Sequence, residues 1–236
     1  MLRLKAFRAV DNPELAQKYV KGHQDVLKIF GITEITSAKD DWYNNPSTYA
    51  IVAIDEDTQE VVGGIRMQIV GGDRPLPVED AVGYMDERIH DIVRTHHAIF
   101  GAAELCGLWN SRKVAGYGVS WLLTRTGIAL ASQVGVRTLF GICANITLPM
   151  FKKTGYIVER SVGEEGTFYY PKSDLLAYTI IMDAELLDTA TAEEREKILN
   201  LRKDFNQRAV VTGPKATFEV QYDLVLCQSE LFEYNG

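Results

Sequence analysis

At 236 residues the chain is long for one domain and short for two, and nearly half of it is apolar, so one domain with embellishments and a real core is expected. Its net charge of −7 argues against bulk attraction to nucleic acid, and no apolar run approaches the roughly 20 residues that span a bilayer. The opening MLRLKAFRAVDNPEL lacks the apolar block of a signal peptide and reaches a carboxylate at once, which makes a soluble cytoplasmic protein the expectation.

LRLKAFRAV alternates apolar and basic residues and reads as a strand. In DNPELAQ, Asn12 suits a helix N-cap, Pro13 the first helical position and Glu14 the positive end of the dipole. Leu15, Tyr19, Val26 and Phe30 mark the buried side of that helix and Gly31 its end. STYAIVAIDEDTQEVVGGIRMQIV places two β-rich runs around a polar turn, a hairpin. Residues 71–97 form an inserted segment, a loop around Pro75 and Pro77 followed by a short helix over residues 86–93. AAELCGLWN is the next strand, and GVSWLLTRTGIALASQVGV is a helix apolar nearly all round, hence well buried. RTLFGICAN reads as a buried strand, TLPMFKKTG as a short helix stopped by Gly155, and YIVERSV and LLAYTIIMD as strands joined by a polar loop. Beyond Asp183 the character changes to a charged amphipathic helix, TAEEREKILNLRKDFNQ, and a strand, ATFEVQYDLVL, with Phe218, Val220, Tyr222 and Leu224 on one face. Cys106, Cys143 and Cys227 are odd in number and widely spaced, and read as structural thiols, neither disulfides nor a metal site.

Charge is unevenly placed. Residues 105–158 contain no Asp or Glu but carry Arg112, Lys113, Arg125, Arg137, Lys152 and Lys153. Such a stretch in an acidic protein fits either a bound anion or a chance run of solvated cations. Within it, NSRKVAGYGVSWLL joins a strand to a helix through Gly116 and Gly118, the geometry in which loop amides and a helix N-terminus face one anion. A nucleoside-triphosphate loop needs a Gly-Lys-Ser/Thr that is absent, and a dinucleotide fingerprint needs a third glycine where Trp121 stands. A plain tight turn is the alternative.

The wider run from Glu104 in AELCGLWN, through VAGYGVS and LFGICA, to NITLPMFKKTGYIV with Asn145, Lys153, Gly155 and Tyr156 resembles the GNAT family of N-acyltransferases. The order of elements matches over residues 1–183 and the motif detail over residues 103–158. The resemblance implies an α/β (α+β) fold with a mixed, mostly antiparallel central sheet flanked by helices. The core is residues 1–183 with the insert at 71–97, and residues 184–236 are a helix-strand extension. It implies acetyl-CoA, or another acyl-CoA, as co-substrate, and a small-molecule amine as acceptor. The pyrophosphate would sit on the amides of Ala115, Gly116, Tyr117, Gly118, Val119 and Ser120. The pantetheine would lie beside Leu108, Trp109 and Asn110, with backbone groups near Leu108 and Trp109 polarising the thioester carbonyl. Asn145 would bond the pantetheine or cap the short helix, and Lys153 is the motif lysine. No metal is expected.

Two positions depart from the family pattern. Ala115 stands where a Gln or Arg is usual, a charge that Arg112 or Lys113 would supply from a shifted register. Phe151 replaces the tyrosine that protonates the leaving thiolate. Glu104, a carboxylate in an apolar strand, is the candidate base, because burial would raise its pKa into a useful range. Of His90, His96 and His97, only His90 has a metal-type partner, Glu87, and one Glu-x-x-His pair is half of what a carboxylate bundle needs. Trp109 either stacks on substrate or fills the core, and Tyr117 is placed at an exposed loop tip. Three function classes stay open: acetyl transfer to a primary amine; transfer of a longer acyl chain from CoA or acyl carrier protein, as in acyl-amino-acid and homoserine-lactone synthases; and a non-catalytic CoA-binding protein. The tail strand extends the sheet, in its own subunit or across a homodimer, or covers the acceptor cleft.

Overall fold

The computed structural model describes residues 1–32, 41–72 and 74–227. Among these residues ten strands make one mixed sheet: β1 (Leu2–Arg8), β2 (Thr48–Asp55), β3 (Glu60–Ile69), β4 (Ala102–Asn110), β5 (Thr138–Ala144), β6 (Ile157–Val158), β7 (Thr167–Tyr169), β8 (Leu176–Asp183), β9 (Arg208–Thr212) and β10 (Thr217–Asp223). Their spatial order is β6-β8-β5-β4-β3-β2-β1-β10-β9, with β7 beside β8. The β4/β5 and β1/β10 pairs are parallel and the others antiparallel. The helices are α1 (Pro13–Ile29), α2 (Pro77–Val82), α3 (Arg88–Phe100), α4 (Val119–Leu130), α5 (Leu148–Thr154) and α6 (Ala192–Lys203).

Strand alternation divides the core between the two faces. Tyr49, Ile51 and Ala53 of β2 pack with α4 and α6, whereas Ala50, Val52 and Ile54 pack with α1. α2 and α3 cover the continuation of the α1 face over β4, β5 and β8. Among the described residues, no helix is long and apolar enough to cross a membrane.

Local chemistry explains most boundaries. The Asn12 side chain accepts the Leu15 amide at 3.2 Å and opens α1 with Pro13 at its first position. The buried face of α1 is Ala16, Tyr19, Val20 and His23, and Phe30 lies exposed past the last turn, not in the core as expected. The inserted segment is more helical than its prolines suggested. Pro77 is the first residue of α2, where its missing N–H costs nothing, and Glu79 accepts the Leu76 amide at 2.7 Å. The helix expected over residues 86–93 runs on to Phe100. Of YIVERSV only two residues pair, and the polar loop after it holds β7.

The tail is built onto the sheet of its own subunit. β10 lies parallel to β1, and β9, which had no counterpart in the sequence reading, is the outer strand. Thr191 caps α6, and Arg125 of α4 grips Glu194 through two hydrogen bonds, Nη2 to Oε1 at 2.7 Å. Cys106 and Cys143 are buried free thiols, but Cys227 is exposed.

Candidate active site

β4 and β5 run side by side only from Ala102, Ala103 and Glu104 to Thr138, Leu139 and Phe140. Beyond that point β5 stays on β8 as far as Ala144, and β4 stays on β3 as far as Asn110, so the two strands part. β4 also bulges there. Gly107 and Leu108 face the single residue Ile65 of β3, and Gly107 takes φ +62°, a conformation open to glycine. The hydroxyl of the fully buried Tyr19 donates to the Gly107 carbonyl and holds the bulge from the α1 side. Backbone groups of β4 are thereby turned off the ladder at the mouth of an open seam.

The glycine loop closes the same end. A 3-10 turn at Arg112–Val114 leads to Gly118, whose φ of +78° starts α4 without a side-chain cap. The amides of Ala115 and Tyr117 are spent inside the loop, on Arg112 O at 3.2 Å and Val114 O at 3.1 Å. Those of Gly116, Gly118, Val119 and Ser120 have no partner among the described residues. Four free donors at the N-terminus of a 12-residue helix are an arrangement that can cradle an anion. Ser120 Oγ donates to Asn110 Oδ1 at 2.7 Å, tying the cradle to the end of β4. A 380 Å³ cavity opens from the cradle between α4, α5, α6 and the β9–β10 hairpin, lined among others by Gly118, Trp121, Arg125 and Lys153. The hairpin itself lies against the loop. The Lys215 amide donates to Gly116 O at 3.0 Å, and the lysine stem crosses Gly116 so closely that a Cβ there would be 2.5 Å from Cδ.

On the opposite side of β4, Glu104 is 2% exposed and accepts the Val78 amide at 2.6 Å. Burial raises its carboxyl to about 8, against smaller downward pulls from the Val78 N–H and the Arg66 charge. The ionised minority of such a group at neutral pH is a stronger base than an ordinary carboxylate and can accept a proton. Tyr156 has a buried hydroxyl with no partner among the described residues, and it lies within electrostatic reach of Glu104, Cys143 and Cys106. Burial raises both of those thiols to about 12, which keeps them protonated at neutral pH.

No family model and no curated protein matches the sequence. Solved structures do match in shape. FeeM, an N-acyl amino acid synthase from uncultured soil microbes, superposes with a TM-score of 0.59 at 11% identity, over 83% of this chain and 98% of that one. BjaI, a CoA-dependent acyl-homoserine lactone synthase solved with SAM and isopentyl-CoA, gives 0.54 at 13% identity, over 86% and 90%. Arabidopsis thaliana NAA60, in complex with a bisubstrate analogue, gives 0.52 at 12% identity, over 78% and 99%. The chain has a GNAT fold.

Within this GNAT fold the structure distributes the expected residues unevenly. Gly116, Gly118, Val119 and Ser120 form the cradle, Leu108 and Asn110 border the seam, and Lys153 reaches the cavity at Gly118. Lys113 does not: it pairs with Glu60 and, with Arg112, lines a separate 590 Å³ groove beneath α1. Neither therefore supplies the charge missing at Ala115, which is itself exposed. The Trp109 ring is core, wedged against Gly22 and edge-on to Tyr19, so only its backbone borders the seam. Tyr117 is half-buried against Phe218 of the hairpin, ring centroids 5.5 Å apart, not an exposed tip. Asn145 is exposed and is not the cap of α5, which begins after Thr147. His90 pairs with Glu79 at 2.9 Å in place of Glu87, and His96 packs edge-on to Phe140. Half of the cationic run is matched from outside: Lys113 by Glu60, Arg125 by Glu194, and Arg137 by Asp183 and Glu185.

Sequence reasoning passed over three groups here. Tyr19 was placed only as core. Arg66, the one cation within the apolar run of β3, is 1% exposed, and its isolation in VVGGIRMQIV was a signal. Lys215 sits in a turn whose contact partner is about a hundred residues away, and no local pattern marks it.

Proposed function

We propose that this chain is an N-acyltransferase that moves an acyl group from CoA to a primary amine by direct attack. The observation that carries this reading is the open β4–β5 seam with four unpaired amides at one end and a buried, high-pKa carboxylate beside it. The cradle takes the pyrophosphate, with Lys215 adding the positive charge that Ala115 lacks. The pantetheine follows the seam, and the bulged backbone near Gly107 and Leu108 polarises the thioester carbonyl. The acceptor amine gives a proton to Glu104, its nitrogen bonds to the carbonyl carbon, and the C–S bond breaks. Phe151 cannot protonate the departing thiolate, and in this reading Tyr156 does so.

Acetyl-CoA is the first donor to test, with longer acyl-CoA and acyl carrier protein thioesters as the second class, since the cradle recognises phosphate and is silent on chain length. Calorimetric titration with acetyl-CoA, octanoyl-CoA and CoA is expected to give binding in the micromolar range for at least one. Absence of binding by all three at high micromolar concentrations overturns the donor assignment.

A further inference from the structure

The acceptor side holds a second buried charge. Arg66 stands in the middle of β3, and its Nε and Nη1 have no hydrogen-bond partner among the described residues. No carboxylate of those residues lies within ion-pair distance of it; Asp41, which lines the same 230 Å³ cavity, is engaged by Arg74 at 2.8 Å. Burying a guanidinium without an anion is strongly unfavourable. The Trp42 ring, 4.9 Å from the guanidinium carbon, steadies the cation but offers its N–H groups no acceptor.

Register places this cation beside the candidate base. Arg66 is opposite Cys106 and Gln68 is opposite Glu104, so Arg66 and Glu104 are diagonal neighbours on one sheet face, roughly 7 Å apart. Gln68 is held by Pro75, Nε2 to O at 2.8 Å, and together with Arg66 it floors the cavity. The site therefore offers one fixed positive charge and one proton acceptor at the spacing of a small molecule that bears both an anion and an amine.

We propose that Arg66 anchors a carboxylate on the acceptor, so that the acceptor is a free amino acid or a similarly small amino carboxylate. This rests on the acyltransferase reading above. The test is a thiol-release assay with the donor that binds, using each of the free amino acids beside its α-amide. Wild type is expected to favour the best acid over its amide by about a hundredfold or more in kcat/KM, because the amide leaves the cation unpaired. Arg66→Gln is expected to bring the ratio within about fivefold, chiefly through KM, and Arg66→Lys to keep part of it. Equal use of acids and amides by wild type overturns the proposal without any variant having to fold. Ligand-observed NMR with N-acetylated amino acids and their amides separates the two readings. Acids that bind wild type but not Arg66→Gln, with no acyl transfer, would uphold the anchor and remove the transferase. Acids and amides that bind alike would remove the anchor whatever the activity.

Discussion

Replacing Glu104 by glutamine separates proton transfer from packing. The side chain keeps its shape, and its carbonyl oxygen can still accept the Val78 amide. What disappears is a titration, since burial holds this carboxyl near 8 instead of its ordinary 4.5. A carboxyl raised on folding leaves stability intact below about 4.5 and removes it progressively as pH climbs through about 8, because the unfolded chain releases its proton first. Over that window of about 3.5 units the loss is on the order of 5 kcal/mol, at about 1.4 kcal/mol per unit. Glu104→Gln escapes the loss, so its stability relative to wild type is expected to rise steadily from pH 5 to pH 8 in urea denaturation. Catalysis moves the other way. About a tenth of wild-type molecules carry the ionised base at pH 7, so the rate of wild type is expected to climb with a midpoint near pH 8 and to level off above it. The variant is expected to lose about 10²- to 10⁴-fold in kcat together with that limb. A stability difference that does not change with pH would refute the raised carboxyl. An unchanged pH–rate profile would refute its role as base.

Lys215→Met is expected to raise KM for acyl-CoA about five- to tenfold, the size of a partly solvated charge-assisted contact, while a pantetheine thioester without the pyrophosphate is unaffected. Equal effects on both donors would assign the hairpin a purely structural part. Tyr156→Phe removes a buried hydroxyl with no partner among the described residues. Its midpoint in thermal unfolding should therefore hold or rise slightly, while kcat falls about 10- to 100-fold with KM for acyl-CoA little changed. An unaltered kcat would mean that another group protonates the thiolate.

Where an element's cause is local, the sequence carried it. Asn12 and Pro13 opened α1, Gly155 with φ +111° closed α5, Thr191 capped α6, two-residue alternation marked β1 and β10, and β-rich runs around a polar turn marked β2 and β3. The order of elements over residues 1–183 and the motifs of residues 103–158 resembled the GNAT pattern, and that resemblance implied one mixed sheet. The misses came where a partner decides. Phe30 has the right period but lies past the last turn, with no sheet beneath it. β7 and β9 are short, partly solvated strands whose pairing depends on a neighbour already being in place.

The site divides in the same way. The cradle could be found because its amides follow from backbone conformation, which Gly116 and Gly118 reveal locally. By contrast, the environment of Glu104, the isolation of Arg66 and the approach of Lys215 to Gly116 depend on sheet register and on a hairpin folded back across the chain. Charge and burial are properties of the assembled neighbourhood. The same Lys113 that looked like a phosphate ligand in sequence is taken by Glu60 once β3 and the loop meet. The sequence by itself determined the order of the main elements, the backbone shape of the loop and the presence of a carboxylate in β4. Only the tertiary structure decided which charges are paired and which are left for a ligand, because electrostatic energy is set by distance and dielectric in space, not by spacing along the chain.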